Sequence, residues 1–488
     1  MAVTWENLAD IKRQVHSKCD SQKTEDSASY SPSGTTSRCY GLLHPTILTP
    51  RDIEITETDA LGITERTTSG LWSAVEAAEA FCHRATLALQ LVNCLHERNA
   101  ERLDAYFTEH GKPDQFHVKW VETMMGYVGW IGTFQGRKDD LRRATFESEL
   151  VKELRSLGAT LYCKPTTVNH IISYTWNLRS RLLSSGGTSD GEGALIALKG
   201  SPGRFGTDIG GSIRIPAAFN GLFGIRSSTG RMPYEGAANS MNGQNSILSV
   251  VGPLATTARS LTPLFKAVLS QQPWYHDSLV LELPLREDIE QKTRALVVKS
   301  ANGPSSLAFG IMHHDGMAKP HPPIARALKL FEQTLKHLGH YIEPPAQQVG
   351  NDIASDIDYF LELPGESRAS QVIVTNRLPK KIALDMAALN RPVDGVICPF
   401  APYTAMIPQN HAHVGYTPFA NFLNYTSVVV PVTHADKTVD VPRPRAEFLG
   451  GLDKEVHEQY KFSIRRLEEE KLLTPVEYIS EEVKLSAA

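Results

Sequence analysis

The sequence predicts an α/β fold with a largely parallel or mixed sheet, on three observations. A helical apolar stripe over 141–157 runs directly into a short apolar segment, Ala159–Cys163. The same order returns over 307–342, where strand-like, helical and strand-like patterns follow one another. Two more β-branched runs, Val396–Cys398 and Ser427–Thr433, have the unbroken apolar character of strands covered on both faces. Strands alternating with helices in this way are the pattern of βαβ units.

In chain order, residues 20–38 are rich in Ser, Thr, Lys and Asp and have little to bury, which predicts a mobile loop or a lineage-specific insertion. From Leu71 to about Arg98 the Ala- and Leu-rich pattern predicts a helix, with Thr67, Thr68 or Ser69 as its cap. Over 141–157 the stripe is Phe146, Leu150, Leu154 and Leu157, and Gly158 supplies the stop. Leu307–Met312 reads as a strand. Ile324, Ala327, Leu328, Phe331, Leu335 and Leu338 then share a helix face that Gly339 ends, and Tyr341-Ile342 begins another strand. The N-terminal tail and 266–305 read as linkers or surface loops. There is no repeat of solenoid length. The expected division is an N-terminal helical and loop extension over 1–60, partly mobile, and one domain over 61–488.

The 488 residues suffice for a large buried core, and 41% hydrophobic with 21% charged residues is ordinary for a soluble protein. A net charge of −4 gives no electrostatic case for nucleic acid or an anionic membrane. The six cysteines, Cys19, Cys39, Cys82, Cys94, Cys163 and Cys398, form no CxxC pair, which predicts reduced thiols. The start, MAVTWENLADIKRQ, lacks the apolar run of a signal peptide, and no stretch reaches the length of a membrane span. Cytoplasm is the expected location, and a homodimer is an allowed assembly.

The most unusual segment is 184–230, with glycines at 186, 187, 191, 193, 200, 203, 206, 210, 211, 221 and 224. Glycine permits positive φ and close backbone approach. Around Ser212 such a run suits a loop whose N–H groups converge on one point, able to hold an anion or the oxyanion of acyl transfer. Tight turns beside a sheet and phosphate loops are the competing readings. GxxxxGK[ST], a cleanly placed GxGxxG and GxSxG are all absent.

The string GTDIGGSIRIPAAFNGLFGIR resembles the amidase signature: an Asp, the GGSIR core, a Pro and two spaced glycines, all in order. TWENLA, EAFCHRA, QLVNCLHE, DQFHVK, ETMMGYVGW, NYTSVVVPVT and EEEKLL extend the similarity over most of the chain, toward the fungal acetamidase branch. The resemblance implies a single α/β/α domain around a mixed, mostly parallel sheet. It also implies amide hydrolysis by a Ser–Ser–Lys triad without metal or cofactor, on a small carboxamide. Ser212 matches the nucleophile. The backbone N–H groups of Ile209, Gly210, Gly211 and Ser212 match the oxyanion hole. A relay hydroxyl held by a cis peptide passes the proton between nucleophile and lysine. Asp208 and Arg214 match residues that hold the loop.

The chain departs from the family pattern at several points. Where the family has GGSSGG, this chain reads Gly186-Gly187-Thr188-Ser189-Asp190-Gly191. Thr188 takes the relay position and keeps a hydroxyl, though its methyl stiffens χ1. An off-register match would make Ser189 the relay; otherwise Ser189 belongs with the substrate-binding positions. Asp190 replaces a glycine. The segment that ends in the family lysine looks missing between Lys112 and Asp114; Lys112 matches a surface Lys-Pro that precedes this segment, or else slides into the site as the candidate base, while Lys119 matches a later position beside Trp120. Segments near 164–168, before Val393 and after Ser463 look lost too. The alternative to a working amidase is therefore an impaired or inactive relative. His313, His314, His321, His411 and His413 fit no zinc spacing, and nothing in the sequence singles out a Ser-His-Asp partner set for Ser212.

Overall fold

A computed structural model describes residues 48–98, 148–159, 163–165, 174–237, 247–299, 307–343, 394–407, 413, 416–436, 438–441, 444–445 and 447–466. The helices are α1 (Pro50–Glu57), α2 (Ala60–Thr68), α3 (Ala74–Val92), α4 (Glu149–Ser156), α5 (Asp190–Ala197), α6 (Arg214–Asn220), α7 (Ala258–Leu269), α8 (Glu287–Lys299), α9 (Pro322–His337), α10 (Pro418–Phe422) and α11 (Gly451–Arg466). The strands are β1 (Leu95–Arg98), β2 (Cys163–Pro165), β3 (Trp176–Asn177), β4 (Ser180–Ser184), β5 (Gly203–Asp208), β6 (Phe223–Arg226), β7 (Val250–Ala255), β8 (Ala308–Ile311), β9 (Tyr341–Glu343), β10 (Gly395–Ile397) and β11 (Ser427–Val429). No helix among the described residues is long and apolar enough to cross a membrane.

The α/β class and the mixed sheet character hold. A four-stranded antiparallel sheet has the order β11-β6-β7-β5, and a three-stranded parallel sheet the order β10-β8-β9. Two antiparallel pairs, β1-β2 and β3-β4, complete the described ladders. Among the described residues, parallel pairing joins β8, β9 and β10. β7 lies between β5 and β6, pairing Asp208 with Val250 and Phe223 with Ala255. Gly252 makes that close fit possible, because a Cβ there would lie 1.9 Å from the Ile225 carbonyl oxygen.

The long N-terminal helix is shorter than its apolar pattern predicts. Gly70, at φ 74°, separates it from α2, so Ser69 closes α2 and Ser73 caps α3 by accepting the Glu76 N–H at 3.0 Å. Asn93 ends α3 in the left-handed region, and its N–H donates to the Leu89 carbonyl. Ala77, Phe81, Ala85, Ala88 and Val92 recur on one face of α3 and bury against Leu195, Ile196 and Leu198 of the α5 segment. A second core joins Leu150 and Leu154 of α4 to Phe205, Val251 and the Leu261–Leu264–Val268 face of α7. Gly158 ends α4 at φ 78° as expected, while Phe146 lies outside the described residues.

Two expectations need correction. Val396 and Val428 are exposed rather than covered on both faces, because β10 and β11 are the outer strands of their described ladders, and Val430, also exposed, lies past the end of β11. Residues 287–299 form the exposed helix α8 rather than a linker. Its apolar stripe is too weak to read, and it is laced by the i,i+4 pairs Asp288–Lys292 and Glu290–Arg294 and by Lys266 of α7.

α9 matches its predicted face, with Ile324, Leu328 and Leu335 buried, and Gly339 follows at φ 84°. Its cap, His321, is 5% exposed; Nε2–H donates to the Val456 carbonyl at 2.7 Å and the ring packs on Tyr460. Burial, aided by the charges of Arg445 and His457, pushes its pKa down to about 4, against the pull of the Val456 hydrogen bond. Unfolded His titrates near 6.5, so the neutral ring's contribution is complete above about pH 6.5 and is lost as pH falls toward 4. The stability advantage of wild type over His321→Phe should shrink by roughly 3 kcal/mol across that window, read from urea unfolding at pH 7 and pH 4.

Candidate functional site

Ser212 sits on the turn between β5 and α6, half-buried. The turn is fixed from below by Asp208, the last residue of β5. Its carboxylate accepts the Gly211 N–H at 2.8 Å and the Ile213 N–H at 3.2 Å, and it meets the Arg214 guanidinium fork at 3.0 Å on both oxygens. Asn421 Nδ2 donates to the same carboxylate at 2.9 Å. Burial pushes this carboxyl up, but Arg214 and the donated hydrogen bonds outweigh it and hold Asp208 below the usual carboxylate range.

Arg214 extends the network to a distant segment. Nη1 donates to the Thr417 carbonyl at 2.8 Å and Nη2 to Asn421 Oδ1 at 2.5 Å. Thr417 Oγ1 donates to the Gly210 carbonyl at 2.6 Å. Thr417 and Asn421 were not legible in the sequence. Pro418 signals a helix start there, but nothing local points to a partner about 200 positions earlier.

The 186–189 turn closes on Ser212 from the other side. Gly187 has φ 67°, and a Cβ there would lie 2.8 Å from Pro216 Cδ and 3.1 Å from the Ser212 carbonyl oxygen. Gly211 has φ 127°, and its Cβ would lie 2.6 Å from Thr417 Oγ1. Only glycine allows both approaches. The Ser189 N–H donates to the Ser212 carbonyl at 3.3 Å, and its hydroxyl, buried against β5, to the Thr207 carbonyl at 3.5 Å. Thr188 stands half-buried between Gly187 and Ser189. The structure therefore gathers Thr188, Ser189, Ile209, Gly210, Gly211 and Ser212 in one place. The Gly211 N–H is engaged by Asp208. Lys112, Lys119 and Trp120 lie outside the described residues, and the described peptide bonds are all trans, unlike the cis relay the resemblance implies.

Below the turn, Ser185 Oγ donates to the Asp190 carbonyl at 2.8 Å, and Asn220 Nδ2 donates to Ser185 Oγ at 2.8 Å and to the Ser185 carbonyl at 3.0 Å. Asp190 opens α5 fully buried. Its Oδ1 accepts the Gly191 N–H at 2.8 Å, and its Oδ2 accepts no hydrogen bond. Burial, then the charge of Glu192, push its carboxyl well above the ordinary range, favouring the neutral acid. Cys398 is pushed up to about 11 by burial, with Arg214 pulling it back, so its thiol stays protonated at neutral pH.

Of the histidines singled out by the sequence, His321, His413 and His314 are held in hydrogen bonds that fix local structure. His413 donates from Nε2 to the buried Asp315 carboxylate, whose other oxygen accepts the Met317 and Ala318 N–H groups. His314 Nδ1 accepts the Gly316 N–H at 3.1 Å. His411 lies outside the described residues.

A family profile described as Amidase matches residues 76–368. Acetamidase of Aspergillus oryzae is 35% identical over 509 aligned positions, covering 89% of this chain and 91% of its own length. Acetamidase of Emericella nidulans is 34% identical and covers 85% of each chain. Among solved structures, fatty acid amide hydrolase superposes with a TM-score of 0.72 at 25% identity, over 88% of this chain and 85% of its own. The Aspergillus oryzae alignment is longer than this chain while using only 89% of it, so that relative carries internal segments with no counterpart here.

Proposed function

The chain belongs to the amidase signature family and is a hydrolase acting on amides, and from that premise we propose that it cleaves the C–N bond of a small carboxamide through an acyl-enzyme on Ser212. Ser212 Oγ attacks the carbonyl carbon while its proton passes to Thr188 and on to the base, for which Lys112 is the candidate. The carbonyl oxygen gains the negative charge and is met by the N–H groups of Ile209, Gly210 and Ser212, while the Gly211 N–H stays on Asp208 and holds the turn. The C–N bond breaks as the amine takes the proton and leaves as ammonia. Water then attacks the ester, releasing a carboxylate and restoring Ser212. Ser189 supports the substrate side of the turn through its N–H on the Ser212 carbonyl.

One observation carries this proposal: Gly187–Ser189 close on a Ser212 turn that the Asp208–Arg214 pair holds in place. The acetamidases at 34–35% identity support a small amide as substrate. No cofactor or metal enters the steps, and a cytoplasmic setting suits them.

Impaired turnover is favoured by a different observation. Among the described residues no side chain hydrogen-bonds to Ser212 Oγ, and a buried carboxyl, Asp190, stands where the family keeps glycine. Ammonia release from acetamide separates the two outcomes. Turnover within about tenfold of an intact family member, about 1.4 kcal/mol in barrier, excludes impairment. Absence of turnover, together with no labelling of the folded chain by a fluorophosphonate, excludes an activated Ser212.

A further inference from the structure

The strongest unassigned feature lies away from Ser212, where α4 faces the turn that follows α7. Glu149 and Glu153 are one helical turn apart on α4 and point to the same side. His276 closes the short 3₁₀ turn Pro273–Tyr275 opposite them. Its Nδ1 lies 3.4 Å from Glu149 Oε1 and 3.8 Å from Glu153 Oε1. One donor atom from each of the three residues falls within 4.8 Å of the other two.

Glu153 is the second, independent observation. Its side chain is 3% exposed, and neither carboxylate oxygen accepts a hydrogen bond. A buried carboxylate left this way is costly unless it is paired, coordinated to a cation or protonated. Its neighbours do not satisfy it. Asp277 is occupied, its Oδ2 accepting the Tyr234 and Glu235 N–H groups at 2.7 and 2.9 Å and its Oδ1 the Leu279 N–H at 2.9 Å. Asp277 therefore adds negative field without adding a donor. Lys152 reaches only the outer oxygen of Glu149, Oε2, at 3.1 Å.

We propose that Glu149, Glu153 and His276 form a binding site for a divalent transition-metal ion of the zinc type, clamping α4 to the 273–277 turn. One imidazole and two carboxylates are a donor set that zinc accepts, with solvent in the fourth position. Two ligands about 2.1 Å from a tetrahedral ion lie about 3.4 Å apart, which is the His276–Glu149 separation. The Glu153 oxygen, 3.8 Å from His276 Nδ1 and within 4.8 Å of the Glu149 donor, must draw inward to complete the set, and the half-exposed His276 gives the ion its entry. The ion's charge would replace the missing hydrogen bonds of Glu153, and the site's role is structural.

The test uses the full chain, stripped with chelator and then dialysed against zinc chloride. One zinc ion should bind per chain, and the thermal midpoint should rise by about 3 °C at a hundredfold excess of free ion over Kd. His276→Ala changes an exposed side chain, so it should fold normally and lose both effects. Glu153→Gln should lose them too, and His276→Ala alone decides the matter if that variant does not fold. Cobalt(II) should give a visible d–d band in wild type that His276→Ala lacks. Absence of zinc binding to the wild-type chain overturns the proposal and leaves Glu153 as a buried protonated acid. Equal zinc binding by His276→Ala also overturns it.

Discussion

Replacing Ser212 with Ala is expected to lower amide hydrolysis by roughly 10⁴-fold or more, the scale on which serine hydrolases lose turnover when the nucleophile is removed. Folding should be untouched. The contact that Ser212 makes with the 186–189 turn runs through its carbonyl oxygen, which alanine keeps. The thermal midpoint of Ser212→Ala should therefore match wild type while ammonia release and fluorophosphonate labelling fall to background. Thr188→Ala should lower labelling and turnover together if the hydroxyl carries the proton. Labelling that persists in Ser212→Ala would move the nucleophile elsewhere.

Arg214→Met is expected to be the most destabilising single change in the site, by about 3–5 kcal/mol. It strands the Asp208 carboxylate, fully buried, with only Asn421 and backbone N–H groups around it. It also frees the Thr417 carbonyl and Asn421 Oδ1 from the guanidinium. In a chain this long, that energy lowers the thermal midpoint by about 3–5 °C. Adding Asp208→Asn should recover part of the loss, because the stranded charge is then gone. The sign with pH follows from the depressed carboxyl: Asp208 contributes fully above its unfolded value of about 3.9 and loses that contribution as pH falls further. A midpoint unchanged in Arg214→Met would show that the fork is not what fixes the turn.

Much of the molecule was legible where one short-range rule dominates. α9 could be read because its apolar residues keep helical spacing and Gly339 can adopt the positive φ that ends it. Ser212 and its glycines could be read because positive φ and close approach leave a local trace in composition. The rest depends on tertiary placement. Ser73 rather than Ser69 caps α3 because Gly70 turns the chain between them, a choice that several neighbouring hydroxyls left open. Val396 and Val428 sit on outer strands, and apolar character alone does not say which strand is outermost. Thr417 and Asn421 earn their place only through Arg214, so no window of sequence contains the interaction. Glu153 reads as an ordinary helical glutamate until the fold buries it.

The Asp208–Arg214–Thr417–Asn421 network also sets an order of events in biosynthesis. The turn that presents Ser212 is complete early in translation, yet its fixing partners come 203 and 207 positions later. Such long-range contacts form late, after the entropy of closing a large loop has been met. A nascent chain that has released α6 but not α10 would hold Asp208 and Arg214 as a pair without their outer ligands. Ribosome-stalled chains ending shortly after residue 400 should therefore remain unlabelled by the serine probe, and labelling should begin once residues 416–421 have left the exit tunnel.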